Sequence, residues 1–231
     1  MVLQIMQPFG KDKVNTMCHL FLAGGGPPMP GCLAERYLSL TGEGSIVVLY
    51  IERETMGISE YQDIYTNVFL DLDSSVSFTF IPLKESFDEG ELDLIQKAGG
   101  VIIGGGDTTQ YQKNVVETEL YSIIKSLYAK GVPVAGFSAG ALIMPELCVI
   151  SAKDNEQHKV IYKKGLGLLK DCIIAVHLLR WNDEQHLIKS VKSAEVQLGY
   201  GIDDSSGIYL ENGQLIESEG YVCLHYGKKG K

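Results

Sequence analysis

Short apolar runs recur through the amino-terminal part of the chain and predict the strands of a sheet. They are rich in Val, Ile, Leu and Phe, and near-continuous apolar runs of this kind are typical of parallel strands buried on both faces. The runs are His19–Leu22, Ser45–Ile51, Val76–Leu83, Val101–Ile103 and Val132–Phe137. Amphipathic stretches with apolar residues at helical spacing occupy Glu117–Lys130 and Asp183–Leu198. The pattern predicts an α/β fold with a doubly wound, mostly parallel sheet flanked by helices.

Shorter strand-like segments follow in the carboxy-terminal part. They are Val160–Tyr162, Cys172–His177, Gly207–Leu210, Gln214–Glu217 and Tyr221–His225. The sequence Glu211-Asn212-Gly213 between two of them predicts a hairpin with a turn residue at positive φ. These segments predict antiparallel strands added to one edge of the sheet. No repeat, low-complexity tract or linker divides the chain, so we expect one domain over residues 1–231, with a frayed tail at 227–231.

Charge and cysteine usage exclude several classes of protein. The chain has 20 Lys and Arg against 29 Asp and Glu, a net charge of −9, and no basic run longer than a pair. Nucleic acids and anionic membrane surfaces are therefore not expected partners. No apolar run is long enough to span a bilayer, and Met1–Gly10 lacks the pattern of a secretory leader. The 5 cysteines are widely spaced without a C-x-x-C pair, which favours reduced thiols and a cytoplasmic location.

The sharpest chemical motif is Gly136-Phe137-Ser138-Ala139-Gly140, which follows the last predicted strand of the amino-terminal part. A serine at a tight strand-to-helix turn has its hydroxyl lifted clear of the sheet, and the turn needs small neighbours. The segment Ala141–Leu147 has the composition of the helix that would follow. Ser138 is therefore a candidate nucleophile, and the alternative is that it only caps this helix.

Two glycine-rich segments also follow predicted strands. In Gly104–Gln110, consecutive glycines allow main-chain N–H groups to approach a substrate oxygen, as in an oxyanion hole, and the spacings of phosphate-binding motifs are absent. Within it, Asp107 and Gln110 have the spacing of a capping box, or they face the substrate. The turn Leu22–Pro28 lacks the form of a dinucleotide-binding motif, and we interpret it as a plain β–α turn.

A serine nucleophile needs a base, because its hydroxyl is barely ionised at neutral pH. His177 is the leading candidate, since it lies at the end of a predicted strand, where α/β sheets gather their ligand-facing residues. The alternative is a partly buried histidine bonded to a main-chain carbonyl. Position alone leaves the acid that orients the imidazole open among Asp154, Glu146, Asp203 and Asp204.

Taken together and in this order, the motifs resemble those of the S51 serine peptidases. The resemblance runs from about Leu20 to Ser218. It is carried by Gly104-Gly105-Gly106-Asp107-Thr108-Thr109-Gln110, by Gly136-Phe137-Ser138-Ala139-Gly140-Ala141, by the segment around His177 and by Gly201-Ile202-Asp203-Asp204. That family includes dipeptidase E and the cyanophycinases, within the class I glutamine-amidotransferase-like superfamily of flavodoxin-like folds.

The resemblance implies a role for each motif. Ser138 would attack, His177 would act as base, and the N–H groups of Gly106 and Ala139 would stabilise the oxyanion. The third member is implied at Asp154 by similarity to dipeptidase E and at Asp204 by similarity to cyanophycinases, which carry a glutamate there; we expect Asp204 ahead of Asp154. Cysteine replaces the serine in glutamine amidotransferases, so glutaminase chemistry is disfavoured. No metal or organic cofactor is implied.

The family also implies an aspartyl substrate, so a cation should meet the substrate carboxylate. Arg180 is the nearest candidate, unless it is only a solvated surface residue, and Asp107 and Gln110 are further candidate substrate-binding residues. We expect a small peptide substrate of the Asp-Xaa type. A β-Asp-Arg linkage and a non-catalytic binding module on the same scaffold stay open as alternatives, and a homodimer is compatible with the sequence.

Overall fold

The computed structural model describes residues 16–52 and 57–227, and its largest feature is a seven-stranded sheet. The strands of the chain are β1 (His19–Ala23), β2 (Ile46–Tyr50), β3 (Phe78–Pro82), β4 (Gly100–Ile103), β5 (Val134–Phe137), β6 (Leu147–Ile150), β7 (Ile161–Lys164), β8 (Cys172–Ala175), β9 (Leu198–Ile202), β10 (Gly207–Glu211), β11 (Gln214–Glu219) and β12 (Val222–Tyr226). The sheet has the order β11-β10-β1-β5-β4-β2-β3, and its five amino-terminal strands are parallel.

Helices cover both faces of this sheet. They are α1 (Gly31–Leu40), α2 (Ile58–Leu70), α3 (Glu89–Gln96), α4 (Thr108–Tyr111), α5 (Leu120–Ala129), α6 (Ala139–Leu142) and α7 (Glu184–Ser193), with a π-helical turn at Gln112–Val116 directly after α4. Alternate strand residues enter two apolar clusters, one shared with α1 and α2 and the other with α3 and α5. This two-sided burial explains the continuous apolar runs and confirms the predicted doubly wound α/β fold.

The carboxy-terminal hairpin forms an antiparallel edge. Strand β10 pairs antiparallel with β1, and β11 pairs antiparallel with β10. The turn between them has φ of 49° at Asn212 and 77° at Gly213, as the sequence predicts.

The remaining late strands do not join this edge, which differs from the expectation. Strands β8 and β9 pair in parallel, β12 pairs antiparallel with β9, and β6 pairs with β7 in a separate ribbon. Strand β8 is buried on both faces because Ile173 and Ala175 pack under α7 while Ile174 faces the main core. The apolar run of β8 is therefore buried in a second, smaller sheet.

The helix expected over Ala141–Leu147 is also shorter in the structure. Helix α6 ends at Leu142, and Leu147 already begins β6. Pro145 accounts for the difference, since it has no N–H to donate and restricts the residue before it. The chain therefore turns back after one helical turn.

Among residues 16–52 and 57–227, no helix is both long and apolar enough to cross a bilayer. The expectations for the leader region Met1–Gly10 and for tail residues 228–231 fall outside the described residues. The turns that follow β4, β5, β8 and β9 carry nearly all the predicted site residues, and Asp154 lies in the loop after β6.

Candidate active site

Ser138 occupies the turn between β5 and α6. Its φ of 47° and ψ of −107° belong to the left-handed half of the backbone map, which non-glycine residues rarely adopt. Its side chain makes no capping hydrogen bond to α6. Instead, Oγ lies 2.7 Å from Nε2 of His177. The hydroxyl is therefore directed at an imidazole and does not serve the helix.

Close backbone packing holds this turn against the end of β4. The N–H of Gly140 donates to the carbonyl of Gly104 at 3.1 Å, and a Cβ on Gly140 would lie 2.3 Å from the carbonyl oxygen of Ile103. Only glycine fits at that distance. The same packing brings the glycine-rich loop beside the serine, since a Cβ on Gly105 would lie 3.2 Å from Cβ of Ser138.

His177 follows β8 and connects Ser138 to a carboxylate. Its Nδ1 lies 2.5 Å from Oδ1 of Asp204, in the turn after β9. An ionised carboxylate can only accept, so Nδ1 carries the proton and donates it to Asp204. In the neutral imidazole, Nε2 is then the acceptor and the Ser138 hydroxyl donates to it. This arrangement can take a proton from Ser138 as the oxygen attacks.

The second candidate acid, Asp154, has a different partner. It lies in the loop after β6, where its Oδ2 accepts a hydrogen bond from the hydroxyl of the buried Thr108 at 2.6 Å. Burial raises the pKa of the Asp154 carboxyl, against the opposing effects of the Thr108 hydrogen bond and of His177. The structure brings Asp204, and not Asp154, into hydrogen-bond contact with the imidazole. Asp203 accepts instead from the main-chain N–H of Leu179 at 2.8 Å.

Two main-chain donors flank the serine. Among the described residues, the N–H groups of Gly106 and Ala139 have no acceptor. Gly106 is exposed at the end of the glycine-rich loop, and Ala139 is the first residue of α6. Main-chain N–H groups without an acceptor beside a serine are the donors that an oxyanion hole requires.

The predicted substrate-binding residues differ in what they contact. Asp107 caps α4, where its Oδ1 accepts from the N–H of Gln110 at 2.9 Å, but no reciprocal bond from the Gln110 side chain completes a capping box. Both side chains are exposed. Arg180 is also exposed, and its guanidinium lies close to the carboxylate that bonds to His177, since Nη1 is 3.8 Å from Oδ2 of Asp204.

Comparison with known proteins identifies the family of the chain. A family model described as peptidase family S51 matches residues 39–218. The chain belongs to peptidase family S51. It is a serine-type peptidase, as the motifs predict. Two solved structures share the fold: a peptidase from an acI-B1 actinobacterium, with 20% identity over 93% of this chain and 92% of that chain and a TM-score of 0.63, and a peptidase E-type protein from Listeria monocytogenes EGD-e, with 18% identity over 88% and 98% and a TM-score of 0.64.

Sequence reasoning missed a tryptophan that packs on the histidine of this S51 peptidase. The ring centroids of Trp181 and His177 are 4.5 Å apart with an interplanar angle of 44°. The Trp181 N–H donates to the carbonyl of His177 at 2.8 Å, so the two residues belong to one tight turn. The signal was present, since an aromatic residue four positions after a candidate base can fold back onto it.

A buried polar network behind this turn was missed as well. Asp183 is 5% exposed and accepts from the Ser151 hydroxyl at 2.6 Å, with Lys153 Nζ at 3.4 Å from its other oxygen. Lys153 also donates to the carbonyl of Trp181. The network ties the turn after His177 to the loop that carries Asp154. Nothing in the local sequence pairs these residues, because they are brought together only by the fold.

The peptidase has a separate cavity far from the serine. It has a volume of about 570 Å³ and lies at the amino ends of β1, β8 and β9, whereas the site residues follow the carboxyl ends of the same strands. Ligands of open α/β sheets bind beyond the carboxyl ends. In the described part of the chain, no group of three or more His, Cys, Asp or Glu residues is arranged to hold a metal ion.

Proposed function

We propose that Ser138, His177 and Asp204 act as the catalytic triad of this peptidase, and that it hydrolyses short peptides with an aspartyl residue on the acyl side of the cleaved bond. One observation carries the proposal: a continuous hydrogen-bond path from the Ser138 hydroxyl through the imidazole to the Asp204 carboxylate, with spacings of 2.7 and 2.5 Å. A path of this kind gives serine a base and gives the base an orienting acid.

In the first half-reaction, Oγ of Ser138 attacks the peptide carbonyl carbon while its proton passes to Nε2 of His177. The carbonyl π electrons move to oxygen, which becomes an oxyanion held by the N–H groups of Gly106 and Ala139. Each such donor contributes about 10²- to 10³-fold in rate in other acyl-transfer enzymes. The C–N bond then breaks, His177 protonates the leaving amine, and an acyl-enzyme ester forms.

In the second half-reaction, a water molecule takes the place of the amine. His177 removes a proton from the water as its oxygen attacks the ester carbonyl, and the same two donors hold the new oxyanion. Collapse of this intermediate breaks the ester bond, and His177 returns its proton to Ser138. Asp204 stays ionised throughout and stabilises the transient imidazolium.

The position of Arg180 favours a substrate with an acidic residue. It is an exposed cation at the mouth of the triad, since Nη1 is only 3.8 Å from Asp204, whereas Lys153 is held by Asp183 and the Trp181 carbonyl. A guanidinium that is weakly paired and open to solvent can bind a substrate carboxylate with a bidentate, charge-assisted hydrogen bond. We propose that Arg180 binds the aspartyl side chain, with Asp107 and Gln110 at the opposite, α4 side of the cleft.

A β-Asp-Arg linkage is the second candidate substrate, and the position of the acid favours it. The residue bonded to His177 is Asp204, in the segment that resembles cyanophycinases, and not Asp154, in the segment that resembles dipeptidase E. The main-chain donors and the serine would serve either linkage equally. The two linkages differ in which carbonyl of the aspartyl residue reaches Ser138.

The test is hydrolysis of a peptide panel followed by mass spectrometry. The panel contains α-Asp-Xaa dipeptides, β-Asp-Arg, longer peptides that begin with Asp, and Ala-Xaa dipeptides as a control for acidic selectivity. We expect the wild type to cleave aspartyl members, Ser138→Ala to cleave none, and Ser39→Ala, which changes an exposed serine on α1, to match the wild type. A folded wild type that cleaves no aspartyl member would overturn the substrate proposal.

We also propose a reducing, cytoplasmic location. All five cysteines lie in the described residues and are free thiols. Structural disulfides are common in oxidising compartments and rare in the cytosol. Cell fractionation with an antibody to the chain tests this, and recovery in an extracytoplasmic fraction would contradict it.

A further inference from the structure

The last residue of β1 and the glycine-rich turn after it bond to Ser138 and His177 through main-chain carbonyls and pack against Asp204. The carbonyl of Ala23 accepts the N–H of Ser138 at 3.0 Å, and the next carbonyl, that of Gly24, accepts the N–H of His177 at 3.1 Å. Ser138 and His177 both have positive φ, 47° and 51°. Non-glycine residues keep such backbones only where the surroundings hold them. Two consecutive carbonyls of one turn provide that support.

The third contact is steric and concerns the acid. Gly25 is buried, and a Cβ at this position would lie 2.6 Å from Oδ1 of Asp204, the oxygen that accepts from His177. It would also lie 3.1 Å from Cα of Asp204. The N–H of Gly24 donates to the carbonyl of Ser206 at 3.0 Å and so ties the turn to the segment that carries the acid.

Close packing explains the glycines at 24 and 25. The N–H of Gly24 donates to the carbonyl of Ser206, and a Cβ on Gly24 would lie 2.3 Å from the carbonyl oxygen of Ile202. A side chain at either position would therefore meet atoms at the end of β9 or in the turn that follows it.

We propose that Ala23, Gly24 and Gly25 form the positioning template of the triad, and that Gly25 is a positioning residue whose missing side chain gives the Asp204 carboxylate its place beside His177. The inference rests on the proposed triad. It adds a residue that touches neither substrate nor reacting atoms but sets the distance between acid and base. The most crowded atom is the end of a side chain, and the 3.1 Å contact with Cα of Asp204 needs a shift of only a few tenths of an ångström. An alanine at 25 should therefore move the carboxylate while the fold survives.

The experiment compares Gly25→Ala with Gly26→Ala, an adjacent glycine at which an added Cβ meets nothing within 4 Å. Two readouts need no peptide substrate. One is the NMR resonance of the His177 Nδ1 proton, which a short bond to Asp204 shifts downfield and protects from exchange. The other is the rate at which an alkyl fluorophosphonate modifies Ser138. We expect Gly25→Ala to lose the resonance and to slow modification about 100-fold, since a misplacement of about 1 Å has such effects. Gly26→Ala should match the wild type.

A double-mutant cycle separates positioning from general damage. If Gly25 acts through the acid, adding Gly25→Ala to Asp204→Ala should cost nothing further. Should Gly25→Ala alone fail to fold, refolding in the Asp204→Ala background would still support the proposal, and failure in both backgrounds would overturn it. Retention of the resonance and of the modification rate in Gly25→Ala would overturn it too.

The same experiment distinguishes this inference from the proposed function. A wild type that is modified by the fluorophosphonate and shows the resonance, yet cleaves no panel peptide, would refute the substrate proposal while the role of Gly25 is still measured. A wild type without the resonance would overturn the role of Gly25, because Asp204 would then not hold His177.

Discussion

Replacement of Asp204 by asparagine should nearly abolish turnover. Asparagine keeps the size and shape of the side chain, and the position is one-third exposed, so we expect the fold to persist. The change acts on a single hydrogen bond, the 2.5 Å contact between Nδ1 of His177 and Oδ1 of Asp204. A carboxylate can only accept there, whereas an amide can also present an N–H to Nδ1.

The size of the effect follows from the tautomer. When the amide donates to Nδ1, the imidazole proton moves to Nε2, which then donates to Ser138 and cannot accept the serine proton. In a serine protease with the same arrangement, this substitution lowers kcat about 10⁴-fold. That factor corresponds to about 5.5 kcal/mol of transition-state stabilisation. We expect a kcat loss of this order for Asp204→Asn. KM should change little, because in the proposed triad Asp204 orients the base and does not hold the substrate.

The matched control is Asp154→Asn, which alters the other candidate acid. Asp154 accepts from Thr108 and makes no hydrogen bond to His177 among the described residues, and an asparagine oxygen can still accept from Thr108. We expect its kcat to stay within about tenfold of the wild type, since His177 keeps its hydrogen bond to Asp204 and loses only the charge of a carboxylate that is not bonded to it. The assay is steady-state hydrolysis of the best panel peptide by both variants. A loss of 10³-fold or more in Asp154→Asn, with Asp204→Asn near the wild type, would refute the reasoning.

Three further predictions concern substrate binding and pH. Arg180→Ala should raise KM for Asp-Xaa peptides about tenfold, because a charge-assisted hydrogen bond is lost, and should leave KM for Ala-Xaa peptides unchanged. Equal effects on both series in steady-state assays would contradict the role of Arg180. Because burial raises the native pKa of Asp154 above its usual 3.8, its ionisation costs stability as pH rises, so Asp154→Asn should raise Tm at pH 7 and lose that gain below about pH 3.8. Burial lowers the native pKa of His186 below 6.5, although the negative charge of Asp183 acts in the opposite direction. The free energy of unfolding should therefore fall as pH drops below 6.5. In a series of Tm measurements from about pH 7.5 to 5, His186→Gln should reduce that fall. A fall in Tm that is as steep in His186→Gln as in the wild type would contradict this assignment.

Most of the sheet could be predicted from sequence because its inner strands are buried on both faces. Runs such as Val101–Ile103 are apolar throughout, and the hairpin at Asn212 and Gly213 needs residues that tolerate positive φ. The serine elbow was visible for a related reason, since close packing of Gly140 against β4 requires a glycine. In each case the constraint acts on consecutive residues and leaves a local pattern.

The features that escaped depend on partners distant in sequence. The hydrogen bond between Ser151 and Asp183 joins residues 32 positions apart, and the sequence near either residue does not predict the other as its partner. Position alone could not choose between Asp154 and Asp204, because both lie in polar turns and only the direction of each turn decides which reaches His177. The glycines at 24 and 25 have the sequence pattern of an ordinary turn. They are required because a side chain there would collide with atoms at the end of β9 and in the turn after it, which are distant in sequence.

Trp181 gives this peptidase a built-in optical reporter. It is the only tryptophan of the chain, so all indole emission arises from a ring whose centroid lies 4.5 Å from that of His177, the proposed base. An imidazolium quenches indole fluorescence more strongly than a neutral imidazole does. Each acylation and deacylation cycle should therefore modulate emission, and stopped-flow fluorescence of the unlabelled protein can time the two half-reactions separately.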